Sequence, residues 1–355
     1  MILFSLYLIE VDANPTVNIS FEEQSHIISS QDSFGQCEKI GDTLFTLSVP
    51  KGPKSYDITD KEQPVLLDGF QEEFYSHHFD IYDDLFFLAD SLYGIKIYNI
   101  TNPSNLQEIA QYFPEGDGHI TGVCATETLL VANEFHASLG YVKILFINIT
   151  DPTTPTKISA VSDGVSFFQR FYIENDLCYT TSYNNGLKIY NISNPEAVTE
   201  IYHYNELMSP LDFMKIGDII YVGDLNYFRI LNVSNLTSFT IIGEYYTTND
   251  IMDIDVFNTI AVISERGTCL TALYISDPSN PQKIGQFDVI EMWCCDIDEQ
   301  YLYLALDIYG IKILSYNLTT ATSNLPIIVN IFEILSIYSI AILAKRIYLK
   351  FKNHC

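Results

Sequence analysis

Internal repetition constrains this chain more than any other feature. The segment LFFLADSLYGIKIYNITNP (85–103) returns as LCYTTSYNNGLKIYNISNP (177–195) and as IIYVGDLNYFRILNVSNL (219–236). Residues 129–152 and 260–278 fit with small insertions, and 44–60 and 302–318 are weaker first and last copies. The residue that opens the turn after each copy's alternating strand falls at Asp57, Asn99, Asn148, Asn191, Asn232, Tyr274 and Ser315. The steps between them are 42, 49, 43, 41, 42 and 41 residues. A fixed period of this length marks a repeat architecture in which no single unit can bury its own apolar face.

Each unit reads as strands separated by turn chemistry. An apolar run such as Phe86–Ala89 is followed by a short turn and an alternating strand, Ile95-Lys96-Ile97-Tyr98. An Asn-Pro or Asp-Pro pair then ends it, because proline cannot donate to a ladder and keeps its predecessor extended. A further strand follows (Glu108–Tyr112, Glu200–Tyr204, Lys283–Phe287), and another starts the next unit (Phe79–Tyr82, Phe213–Ile216, Asp255–Phe257). Four short strands in about 42 residues describe one propeller blade. With 48% hydrophobic residues, 25 Tyr and 22 Phe, the chain can fill an all-β core of that size. The expected fold is all-β: a seven-bladed propeller of four-stranded blades over 14–322. Its closure is also legible, since Asn14–Phe21 matches Asn280–Phe287 and the last copy lacks that strand. The N-terminal strand is therefore expected to complete the last blade and remove the open edges.

These residues resemble the LVIVD repeat family, whose units read as an apolar run, Ala-Asp, and Gly-Leu-x-Ile-x-Asp-Val-Ser-x-Pro. The matching stretches are Ala89-Asp90 with Gly94–Pro103, and Gly186–Pro195. The resemblance covers about residues 14–320, with Asn where the family usually has Asp at 99, 148, 191 and 232. It implies a propeller of bacterial and archaeal surface or secreted proteins. It brings no catalytic residues.

The ends of the chain point to a membrane. Residues 327–344 are nearly all apolar and are followed by Lys345, Arg346, Lys350 and Lys352. The expectation is one transmembrane helix over 325–347 with a short basic cytoplasmic tail, 348–355, and the propeller outside the cell. Glu333 is the costly residue in that span. The start, 1–13, has an apolar stretch without a basic region and reads as a signal-peptide remnant. Sequons occur at Asn18, Asn99, Asn148, Asn191, Asn232, Asn235 and Asn317. They read as glycosylation acceptors of an external domain, while four of them also coincide with the repeat's own turn.

The net charge of −27 repels a phosphate backbone and argues against nucleic-acid partners. The seven cysteines show no metal-type spacing. No nucleophile elbow, phosphate loop or His-Glu-x-x-His motif is present, so the chain does not read as an enzyme of those classes. Ligand-binding candidates come from the loops leading to each inner strand and from acids at the strand starts: His77, His78, Asp80, His119, Arg170, Asp212, Asp253 and Trp293. Two readings compete. The acids and histidines hold a divalent cation or a cationic ligand in a funnel, or they bond backbone amides between blades. The leading functional expectation is a membrane-anchored binding or adhesion module with protein or glycan partners at the cell surface. The alternatives are a metal-assisted hydrolase or lyase and a tile of a surface lattice.

Overall fold

A computed structural model describes residues 16–29, 32–70, 76, 78–91, 93–136, 138, 140–164, 169–183 and 185–321. Within them the backbone forms seven sheets of four antiparallel strands. Blade 1 is made of Ser33–Ile40, Thr43–Val49, Gly52–Asp57 and Val65–Gly69, from the channel outward. Blades 2 to 6 repeat that order without a crossover. Blade 7 takes its inner three strands from Cys294–Ile297, Tyr301–Ala305 and Ile311–Ala321, and its outer strand from Thr16–Ile27. The first strand of the chain thus completes the last blade, as the match at 14–21 anticipates. The expected seven-bladed, four-stranded architecture is the one observed.

The repeat folds this way because its two middle strands are apolar on both faces. Phe86–Ala89 is buried throughout, and in Ile95–Asn99 only Lys96 and Asn99 reach solvent. A strand buried on both faces must lie between neighbouring sheets, and the cores are found there. Phe87, Ala89, Ile95 and Ile97 of blade 2 pack against Ile120, Val123, Leu130 and Leu145 of blade 3. The same device closes the ring, with Phe34, Leu44 and Tyr56 of blade 1 against Tyr303, Ile311 and Ile313 of blade 7. A register shift recurs where the third strand meets the outer one, for example at Ile97/Tyr98, Ile189/Tyr190 and Ala272/Leu273. A bulge there adds twist to each blade at its rim.

The inner strands begin earlier than the apolar pattern indicates, at His78, Pro210 and Ile251. The residues added include His78, Asp212 and Asp253, whose side chains bond backbone amides of the neighbouring blade. The chain divides into a body, Ile19–Leu318, and a terminal unit of Met1–Asn18 with Thr319–Cys355. The signal-peptide remnant, the membrane span over 325–347 and the basic tail all lie outside the described residues. Among the described residues, no helix is long and apolar enough to cross a membrane.

Candidate functional site

The antiparallel order sets two faces apart. Loops from second to third strand, and from each outer strand to the next inner one, open on one face, here the upper. The inner hairpins and the third-to-outer turns open on the lower face.

Side chains of the inner strands line the central channel and latch each blade to the next. Asp80 Oδ2 accepts the N–H of Ala125 (2.6 Å), Asp212 that of Ile254 (2.9 Å) and Asp253 that of Cys295 (2.8 Å). Asp255 accepts from Ile297 (2.8 Å), and Asp296 carries the latch across the ring closure to Lys39 (2.7 Å). Gln36 clasps both backbone groups of Phe79 at 3.0 Å, and His78 Nδ1 accepts the Val123 N–H at 3.4 Å. A carboxylate oxygen directed at an amide in this way satisfies a donor that the curved ring would leave unpaired. The recurring acids are therefore built as joints between blades.

One cation sits among them. Arg170 Nε lies 3.2 Å from Asp212, and its terminal nitrogen lies 3.7 Å from Asp253. Burial works against its charge, but the two aspartates hold its pKa above the ordinary value. Burial raises Asp253 well above the usual carboxylate range, the neighbouring Asp212 adds to this, and Arg170 opposes it. Burial and the Arg170 charge push His78 well below its ordinary value, which keeps the imidazole neutral. Lower in the channel, burial lifts Asp80 to about 6, Asp255 to about 7 and Glu38 to about 8. Glu38 is raised further by Asp80, and Asp255 by Asp296.

Arg170 and His78 divide the channel into two cavities. Below them lies a polar one of about 320 Å³ that includes Asp80, Asp212, Asp253 and Glu38. Above them a funnel of about 870 Å³ opens on the upper face. Every blade contributes to its wall: Leu47, His78, His119, Arg170, Leu225, Met252 and Trp293 come from blades 1 to 7 in turn. Three non-glycine residues in its lining have left-handed backbones: Ser91 (φ 40°), Leu225 (φ 54°) and Asp307 (φ 49°). The strain has a visible restraint. Ser91 pairs with Ile120 and Asp307 with Phe34 across blade boundaries, and Leu225 O accepts the Ile251 N–H at 2.7 Å. These loops are bent over the mouth to stitch one blade to the next.

The sequence-derived candidates therefore separate. His78, His119, Arg170 and Trp293 line the funnel; Asp80, Asp212 and Asp253 belong to the lower cavity; His77 lies outside the described residues. His119 bonds Ser91 Oγ at 2.9 Å. Among the described residues, no three His, Cys, Asp or Glu side chains converge to hold a metal. Trp293 stands at the mouth with 41% of its surface exposed. Leu225, Met252, Arg266 and Asp307 are wall residues that the sequence reading passed over. Their signal was positional: they sit in or beside the connections that crown each blade.

The lower face is uniform. Asp57, Asn99, Asn148, Asn191 and Asn232 each accept the N–H two residues on, at 2.8–2.9 Å. Asn102, Asp151, Asn194, Asn235 and Asp277 repeat this at 3.0–3.1 Å. The sequons at Asn99, Asn148, Asn191, Asn232 and Asn235 thus lie in turns whose side-chain oxygen is engaged. Asn18 and Asn317 lie on the two long strands of blade 7.

The family model described as the LVIVD repeat matches residues 216–247, which span the outer three strands of blade 5. No curated protein matches the chain. Among solved structures, the computationally designed Ika8 protein is similar. It is 12% identical with a TM-score of 0.59, covering 82% of this chain and 99% of that one. At that identity the likeness speaks for the fold alone. The chain is a seven-bladed β-propeller carrying LVIVD repeat sequence, matched in its fifth blade.

Proposed function

We propose that this propeller is a binding module whose ligand site is the funnel on the upper face. The observation that carries this reading is the funnel itself, a cavity of about 870 Å³ walled by residues of all seven blades. That volume lies in the range of small-molecule sites, about 300–1,000 Å³. Its wall has their usual character, apolar side chains (Leu47, Val49, Leu211, Met252) with a few fixed polar groups. The surface around it supports the same reading. Tyr93, Phe113, Met208, Ile290, Ile308 and Tyr309 are exposed large hydrophobics in upper-face loops. Exposed apolar side chains gathered on one face mark an interaction surface.

Placement at a cell surface is part of the proposal and rests on the sequence: the apolar segment 327–344, its basic flank and the apolar start. It makes proteins or glycans of that surface the natural partners.

Two experiments test this. A fragment screen by ligand-observed NMR should find binders of the wild-type chain that are lost in Met252→Arg, which puts a cation into the funnel's apolar wall. Binders indifferent to that substitution would overturn the funnel as the site. Protease added to intact cells should digest the propeller, and its protection there would overturn the external placement.

A further inference from the structure

We infer that the funnel takes an organic cation: an apolar body carrying an ammonium or guanidinium head. The inference rests on the funnel being the ligand site and adds the charge and polarity of what it holds.

The funnel's own cations are already committed. Arg170 lies between Asp212 and Asp253, and Arg266 is 3.7 Å from Asp250. An anionic ligand would have to compete with two carboxylates for Arg170, beside a neutral His78. On blade 7 the balance reverses. Asp307 accepts the Ser33 hydroxyl, and among the described residues no cation pairs with it. Glu291, exposed at the rim of the same blade, likewise makes no ion pair among the described residues. Trp293 belongs there too: its backbone N–H bonds Ala305 O at 3.0 Å, two residues before Asp307, and its ring is part-exposed in the wall. Blade 7 therefore offers the indole of Trp293 and, among the described residues, a carboxylate without an ion pair at one side of the mouth. A desolvated aromatic face attracts a cation through its quadrupole, and a carboxylate adds a charge-assisted hydrogen bond. Leu47 and Met252 on the two adjoining blades, and Leu211 on blade 5, receive the apolar body. The chain's net charge of −27 raises the concentration of cations around the molecule.

Trp293 is the only tryptophan, so its emission reports directly on this wall. The probes are 4-phenylbutylamine, 4-phenylbutanol and 4-phenylbutanoate, which share a body and differ in head group. The amine should perturb Trp293 emission saturably and bind at least about fivefold more tightly than the alcohol at low salt. That advantage should shrink as salt is added and should be lost in the double variant Asp307→Asn/Glu291→Gln, with calorimetry as a second readout. Equal binding of amine and alcohol would overturn the charge inference and leave the funnel reading standing. Tighter binding of the carboxylate would overturn it in favour of Arg170. Silence of all three probes, in emission and in calorimetry, would overturn the funnel reading itself.

Discussion

The two faces of the propeller are built from one repeat and have diverged in opposite ways. The lower face reuses one turn, an Asn or Asp oxygen capping the amide two residues on, in blade after blade. The upper face varies more: a glycine recurs at 94, 186 and 310, but its loops differ in length and expose different aromatic and aliphatic side chains. Local chemistry satisfies a lower turn within a few residues, so every copy can keep the same solution. An upper loop must reach the next blade and also form a wall of the funnel, so each copy is fitted to its own neighbour. The comparison predicts that the ring is held at the channel and the upper stitches, and that single lower turns matter little.

The largest expected effect is at the channel. Arg170→Ala leaves Asp212 and Asp253 buried and facing each other, and breaking such a pair costs about 3–5 kcal/mol. Chemical denaturation at pH 7 should show that loss, and it should diminish as pH falls and the freed carboxyls take up protons. A loss under 1 kcal/mol at pH 7 would show that the latches hold the ring without the cation.

Glycines sharpen the contrast between faces. Gly94 has φ +82°, and a Cβ there would sit 2.0 Å from Tyr112 O. Gly217, in a lower hairpin, has φ +56° and open space around it. Gly94→Ala should cost about 2–4 kcal/mol, through backbone strain and a forced shift of the outer strand. Gly217→Ala should cost about 1 kcal/mol, from its left-handed backbone alone. Equal losses in denaturant midpoints would erase the distinction. Gly186 and Gly310 repeat the Gly94 contact against Tyr204 O and Ile27 O, so this glycine recurs for a steric reason.

The channel carboxyls give the ring a pH dependence of definite sign. Burial lifts Asp80 to about 6, Asp255 to about 7 and Glu38 to about 8, against ordinary values near 4. Each folded-state pKa lies above the unfolded one, so the stabilisation is full below about pH 4 and is lost as pH rises through 6 to 8. Depressed carboxyls act in the opposite direction: Asp117, held at about 2 by Ser138 and His136, loses its contribution only in strong acid. Tm should therefore peak near pH 5 and fall by roughly 5 °C or more towards pH 8.5. A Tm that rises over that interval would mean that the channel acids ionise freely. Asp80→Asn/Asp255→Asn should flatten the profile.

Much of the fold is legible in the sequence, and the funnel wall is not. The blades were legible because Asn-Ile-Thr/Ser turns and Gly-x-Lys-Ile strands recur with local causes. The ring closure was legible because the stray N-terminal strand matches the one missing at the end. Even the latch role of Asp80, Asp212 and Asp253 was visible as recurrence. The funnel wall was not. Leu225 lies at φ 54° because it is stitched to Ile251, and nothing in its own neighbourhood in the chain announces that bond. Asp307 acquires its meaning from Phe34 and Ser33, nearly the whole chain away. Pooling all acids and histidines into one funnel failed for the same reason, since the side chains of Arg170 and His78 divide the channel.

The smallest effects compare the faces most directly. Asn191→Ala removes one capped amide on the lower face, where Ser193 N–H donates at 2.9 Å, and should cost about 1 kcal/mol. Because the copies are far apart, a second substitution at Asn99 should add its own similar loss. Met208→Ser, at an exposed upper-face position, should leave stability within about 0.5 kcal/mol. If the upper crown is an interaction surface, the second variant weakens partner capture at unchanged Tm, and the first lowers Tm at unchanged capture. A Met208 variant that loses stability but not binding would show that the exposed crown serves the fold, and the division of labour between the two faces would fail at its most accessible point.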